Sequence, residues 1–432
     1  MDGREIRRMA GLVNARLPEL RLEMVGDPRA RVRRWPLEGV LRAVLLGLMA
    51  GCKSLFEVEQ LTAMLSKKTR RLLGLPRRLA DTTARDVVCR LGLDDLRGCL
   101  HRLIKGAARR KALEPFGLPF GVVALDGKAT SLPCWDDRYV QRHVPEVGLP
   151  YGLARTVTCC LASARGRPCI DAIPLPASTN EMGHFEACFD SLEATYGELF
   201  RVVTYDAGAL SEANGRHVVG AGKDYVFRLR GEQRTMFKLA EELLDPHDVV
   251  ARTVDVLDNR TTATRKLVVL PIHQNWAYGD GKGSQESVWQ HARTFLRVES
   301  TTAKDDGTVL HHEVRLYVSS LQHHVLSPEQ WLHLVRSHWG VENNNHHTFD
   351  TAFEEDERPW IEMDTNGMLA VLVLRRIAYS VLTLFRSVTQ RSDEKRGIRW
   401  KQLMTWLFTM LVSATDEQLA GLRERGVTAV CG

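Results

Sequence analysis

The chain has 432 residues, 44% apolar and 26% charged, the balance of a folded protein with room for two or three domains, which excludes a disordered or low-complexity polymer. Its net charge of +6 favours a polyanionic partner without proving one. Nine cysteines without a Cys-x2-Cys pair exclude a legible zinc ribbon or disulfide framework, so reduced thiols in a cytosol are expected.

Residues 1–113 read as a helical, basic N-terminal domain. It opens on Met1-Asp2-Gly3-Arg4-Glu5, which lacks the apolar core of a secretory signal. Leu37, Val40, Leu41, Val44, Leu45 and Leu48 recur at helical spacing, and Ser54 with Glu57 forms a capping box for the next helix. Basic residues cluster around Arg29–Arg34, Lys67–Arg78 and Arg102–Lys111. These clusters read as a face that follows phosphates, against the plainer reading of a solvated helical surface.

Residues 114–230 change character. Val122–Leu125, Thr156–Ala162, Pro168–Pro174, Val202–Tyr205 and Tyr225–Leu229 read as strands, with helices over Asn180–Tyr196 and Ser211–Val219. This order predicts an α/β core with a mixed sheet. Residues 231–319 are again strand-like, at Lys266–Pro271, Thr294–Val298 and Val314–Ser319, around the glycine-rich loop Gly279–Ser284, and look like an insertion into the core. The core resumes over 320–390. Ser327-Pro328 starts a helix that carries Glu342, and Asn366–Ser387 forms a second long helix. Residues 391–432 are a C-terminal helical tail. No membrane span is expected, because Arg42 and the Arg375-Arg376 pair interrupt the two greasiest runs before they reach ~20 apolar residues.

Three acids carry the chemistry. Asp126 ends the apolar run Val122–Leu125 and precedes Gly127-Lys128; Asp206 ends Val202–Tyr205 in the same way. Carboxylates at strand ends project from a rigid sheet edge, although Asp-Gly alone is a common turn pair. Glu342 lies within His338-Trp339-Gly340-Val341-Glu342-Asn343-Asn344-Asn345-His346-His347, where helical spacing sets His338, Glu342 and His346 on one face. Three carboxylates suit two magnesium ions, with manganese as a substitute, and a pair of such ions can drive phosphodiester chemistry. A zinc-dependent hydrolase using His338 and His346 is the competing reading, but the HExxH order is absent. No Walker or GxGxxG loop supports nucleotide hydrolysis.

At these residues the chain resembles the bacterial insertion-sequence transposases of the DDE type, the group with a β-rich insertion before the final glutamate. The resemblance rests on Asp126-Gly127-Lys128, Asn180-Glu181, Asp206-Ala207-Gly208-Ala209-Leu210, Tyr225-Val226 followed by Arg230-Gly231-Glu232-Gln233, Tyr317–Leu321, and the glutamate segment with His346 and Asp350. Asp27-Pro28-Arg29 and Trp35-Pro36-Leu37 resemble the helical domain that precedes such cores. The resemblance implies a ribonuclease H-like catalytic core, with Asp126, Asp206 and Glu342 as catalytic acids and as ligands of two Mg2+ ions. It implies strand cleavage and strand transfer on DNA, both the element's terminal inverted repeats and a target, by a homodimer in a bacterial cytoplasm close to the nucleoid. Lys128, Arg230, Gln233, Arg293, His338, Asn343 and His346 are the expected DNA contacts. Trp276 or Trp289 is a candidate for base stacking, although packing within the insertion is the plainer expectation for both. The arginine and lysine usual around the last acid are replaced by His338 and Phe349, which changes the expected grip on end phosphates. A domesticated or inactive DNA-binding regulator of the same fold is the alternative that the sequence leaves open.

Overall fold

The computed structural model describes residues 3–30, 35–75, 77–133, 135, 138–180, 183–205, 210–231, 234–258, 260–279, 285–390, 392 and 396–422. An N-terminal all-helical region precedes a mixed β-sheet. The helices are α1 (Gly3–Arg16), α2 (Leu37–Met49), α3 (Leu55–Met64), α4 (Lys67–Leu73), α5 (Asp81–Val88) and α6 (Leu93–Arg109). α3 begins on the expected N-cap, with the Ser54 hydroxyl accepting from the Glu57 amide, but the Glu57 carboxylate accepts from the Lys53 amide and not from that of Ser54, so the reciprocal half of the capping box is shifted by one residue.

The chain then runs through β1 (Val122–Leu132), β2 (Val140–His143), β3 (Tyr151–Leu161), β4 (Cys169–Pro174), α7 (Phe185–Tyr196), β5 (Val202–Tyr205), α8 (Glu212–Gly220) and β6 (Asp224–Leu229). It continues through α9 (Arg234–Leu243), β7 (Ala251–Asp258), β8 (Thr261–Pro271), the short β9 (Ala277–Gly279) and β10 (Gln285–Ser287), β11 (Thr294–Lys304) and β12 (Val309–Ser319). Last come α10 (Pro328–Gly340), a π-helical turn (Val341–His346), α11 (His347–Thr351), α12 (Thr365–Leu384) and α13 (Trp400–Ser413).

One ten-stranded sheet runs β2-β3-β1-β5-β6-β12-β11-β8-β7, with β4 beside β3. β1 is antiparallel to β3 and parallel to β5, β5 is parallel to β6, and every pair beyond β6 is antiparallel. The long strands of the 231–319 segment therefore extend the core sheet itself. Gly121 sets the β1–β5 register: its carbonyl accepts from the Arg201 amide at 2.9 Å, and an added Cβ would fall 1.8 Å from the Leu199 carbonyl oxygen.

Strand alternation sorts the two faces. Val123, Leu125, Val203 and Tyr205 join the large core shared with the N-terminal helices and α12. Val122, Val202, Val226, Leu267, Leu296 and Tyr317 face the other way, under Trp331, Leu332, Leu334 and Val335 of α10. α12 is buried along almost its whole length and packs against α2, α6 and β4, so it belongs to the helical core as much as to the sheet. Thr365–Val388 is, among the described residues, the one helix long and apolar enough to cross a membrane, and it is wholly buried within the protein.

Candidate active site

β1 does not stop at Asp126. It runs on to Leu132, paired with β3 down to Gly152, while its parallel pairing with β5 ends at Leu125–Tyr205. The Asp126-Gly127 pair, open to a turn reading in sequence, is thus extended strand. Asp126 lies one residue beyond the last described β1–β5 pair, Leu125–Tyr205, and is itself paired with Thr158 of β3. Alternation sends Asp126 and Lys128 to the same face as Val122 and Ala124, the face covered by α10.

α10 begins on a capping box, with the Ser327 hydroxyl accepting from the Gln330 amide and the Gln330 side chain accepting from the Ser327 amide. Its apolar stripe carries it across the sheet until Val341 packs against Ala124, Cys160 and Ala162. There the helix widens into the π turn, a geometry often found at functional sites. The wider turn breaks the four-residue repeat expected for His338, Glu342 and His346, and the three separate. His338 is buried, with Nδ1 3.0 Å from the Thr204 hydroxyl. Glu342 is exposed. His346 lies back over β1, its Nδ1 3.1 Å from Asp126 Oδ2. Its buried Nε2 has no hydrogen-bond partner among the described residues. Asn345 anchors the turn from below, donating to Cys160 Sγ at 3.0 Å.

Asp206 follows Tyr205 in sequence and lies outside the described residues, as do Gln233, Glu181 and Glu232; the side chain of Asn343 does too. Among the described residues, no group of three or more His, Cys, Asp and Glu side chains surrounds a point fit for a metal. Asp126 and His346 are the pair that the fold brings into contact.

Lys128, expected at DNA, is held inside the protein. Its ammonium lies 2.5 Å from Asp350, 2.9 Å from Asp356 and 3.3 Å from Glu355. Glu355 is buried and bonded to Arg376, with Arg375 3.9 Å away. Burial works against the charge of Glu355, but Arg376, Lys128 and Arg375 outweigh it and bring its pKa down to about 2. For Lys128, burial is likewise outweighed by Glu355 and the neighbouring acids, which raise its pKa. This ionic cluster fastens the segment after the π turn onto β1, two residues from Asp126.

Arg230 is exposed just past the end of β6. Arg293 donates to the carbonyls of Gln290 and Ala292, which fixes its own loop. Trp276 and Trp289 are partly buried against the large core shared with the N-terminal helices.

Sequence reading passed over Trp339, Arg265 and Arg315. Trp339 lies between two guanidiniums, with Arg315 4.6 Å and Arg265 5.7 Å from its ring centre. Burial opposes the charge of Arg315, yet Glu313, Tyr317 and Glu342 raise its pKa above the usual value. The available signal was parity: Arg315 shares the face of Tyr317, but nothing local says which face meets α10.

No family model matches the chain, and no curated protein is similar to it. Among solved structures it is weakly similar to the cryo-EM structure of a piggyBac transposase synaptic complex with hairpin DNA, with 13% identity and a TM-score of 0.40. That likeness covers 96% of this chain and 78% of the other.

Proposed function

We propose that this chain is a DNA transposase of the DDE type, with a ribonuclease H-like core, that cleaves and joins DNA strands with two magnesium ions. The strand order β4-β3-β1-β5-β6, antiparallel through the first three and parallel through the last two, is the ribonuclease H arrangement and supports this reading. The observation that carries it is the return of the Glu342-bearing turn onto β1, with His346 against Asp126, from the far side of a long insertion.

The donor chemistry fits magnesium better than zinc. Asp126 and Glu342 offer carboxylate oxygen, with Asp206 as the third ligand, whereas the Nδ1 of His338 is committed to Thr204. The chemistry supplied by bound magnesium is activation of an attacking water or 3′-hydroxyl and neutralisation of the leaving oxygen. The chain's own residues do the positioning. His346 Nδ1 lies 3.1 Å from Asp126 Oδ2 and would help orient that carboxylate, the service that outer side chains give to metal-binding carboxylates. The Lys128 cluster holds β1 and the segment beyond the π turn in one register. The partner is DNA bearing the element's ends, held by two copies of the chain.

With Mg2+ or Mn2+, the protein is expected to cut a duplex containing the DNA that flanks its own coding region. Asp126→Asn, Asp206→Asn and Glu342→Gln are expected to bind that duplex without cutting it. Undiminished cutting by any of the three overturns the reading. Binding without cutting by the wild type would assign a DNA-binding regulator instead.

A further inference from the structure

Beyond the acids, one cluster on the same face of the sheet has no part in the fold's apolar packing. α10 covers an oblique band of apolar residues that runs from Val122 on β1 to Leu267 on β8. Along the margin of that band the same face carries charge. Arg228 on β6 stands opposite Tyr317 on β12, and Arg315 lies two residues further along β12 on the same face. Arg265 on β8 shares that face through Leu267, two residues on. Trp339, at the C-terminal end of α10, lies over this margin between Arg265 and Arg315.

The pairing is unbalanced. Arg228 and Arg315 share Glu313; Arg265 and Arg336 share Asp255. Among the ion pairs of the described residues, four guanidiniums here meet two carboxylates, with Glu342 close enough to Arg315 to act on its charge. A guanidinium-rich sheet face attracts a polyanion, and a guanidinium stacked on an indole keeps a planar fork oriented for phosphate oxygens. Glu313 engages Nε of Arg315.

Register relates this cluster to Asp126 through Arg228. Leu125 pairs with Tyr205 and Tyr205 with Phe227, so Asp126 and Arg228 each follow the same rung by one residue. β12 is three strand spacings from β1, about 14 Å, and Arg315 lies a further two residues along its strand from the level of Asp126. A DNA strand crossing from β1 to β12 would run from Asp126 towards Arg315.

We propose that Arg315, stacked on Trp339 and flanked by Arg228 and Arg265, binds a phosphodiester of the DNA strand and holds that strand in register for reaction at Asp126 and Glu342. This rests on the strand-transfer reading and assigns to an insertion strand the phosphate grip that His338, buried on Thr204, does not supply. It also ties DNA contact to the acid-bearing turn, because Trp339 is three residues from Glu342.

The test uses the full chain and the duplex that flanks its coding region, with a scrambled duplex of equal length as control. Binding is measured over a salt series, and cutting with Mg2+, for wild type, R315A, R315K and D126N, with thermal melts to check folding. R315A is expected to cut about 10–100-fold more slowly and to lower the slope of log affinity against log salt by about 1. R315K is expected to recover the slope but not the full rate, because it restores charge without the fork. D126N is expected to lose cutting and keep the wild-type slope. A folded R315A or R315K with wild-type slope and rate overturns the proposal while leaving the strand-transfer reading intact. A wild type that binds without cutting overturns that reading, and the slope still decides whether Arg315 holds phosphate.

Discussion

Glu342 and Glu355 belong to one short stretch of chain and have opposite fates. Glu355 is 2% exposed and gripped by Arg376, Lys128 and Arg375, which bring its pKa down to about 2 against the effect of burial. Glu342 is exposed on a widened helical turn at the edge of a cationic surface. A carboxylate whose oxygens are engaged by buried cations is structural. A carboxylate exposed on an irregular turn is one that a ligand arriving from solvent can meet. Both acids are needed: one locks the segment down, and the other stands where the lock puts it.

The sharpest way to break this contrast is to neutralise each acid in turn. Glu342→Gln is expected to abolish DNA cutting while its unfolding free energy from urea titration stays within about 0.5 kcal/mol of wild type, as for a surface change. Glu355→Gln is expected to lose about 3–5 kcal/mol of stability, because it leaves three cations without their shared carboxylate. Equal stability losses would show that the two acids do not differ in the way described.

Acid titration extends the test. Burial also opposes the charge of Asp171 on β4, but hydrogen bonds from His101 and Arg97 outweigh it and bring its pKa down to about 2. A folded pKa below the unfolded one gives stability that is complete above the unfolded value near 4 and is lost as pH falls towards 2. Asp171 and Glu355 should therefore each contribute on the order of 2–3 kcal/mol at neutral pH. Wild type is expected to lose stability steeply between pH 5 and pH 2, and Asp171→Asn or Glu355→Gln to flatten that slope. An unchanged slope in both variants would contradict the pairing.

His346 is the intermediate case. His346→Ala is expected to slow cutting about 10–100-fold while leaving the melting temperature nearly unchanged, with partial recovery in Mn2+. A loss of folding instead of rate would place it with Glu355. The smallest effect is expected in the N-terminal helices, where Arg29, Arg77 and Arg78 line a cleft with Trp35. Arg77→Gln is expected to weaken binding to the flanking duplex severalfold and lower its salt slope by about 1. Deleting residues 1–113 would be uninformative, since α2 and α6 share one core with α12.

Much of the element pattern was legible because it is local. Val202–Tyr205 reads as a strand from its apolar run and is one, with those bounds. The Ser327-Pro328 helix start is a capping signal that survives in any context. The helix expected from Asn180 begins at Phe185. The strand expected to end at Leu125 continues through Asp126 to Leu132, because β3 supplies a partner that the local sequence does not reveal.

The sequence by itself determined several of the helices and strands, which positions are apolar, and that Asp126 and Glu342 are acids set at the end of an apolar run and among polar residues, since these follow from periodicity and composition over a few residues. The tertiary structure alone decided what those residues meet. The π turn that parts His338 from His346, the burial of Lys128 among three acids, and the meeting of Trp339 with Arg265 and Arg315 all depend on strands far apart in the chain. Their register is set by backbone pairing and by which face α10 covers, and neither is written in any short window of residues.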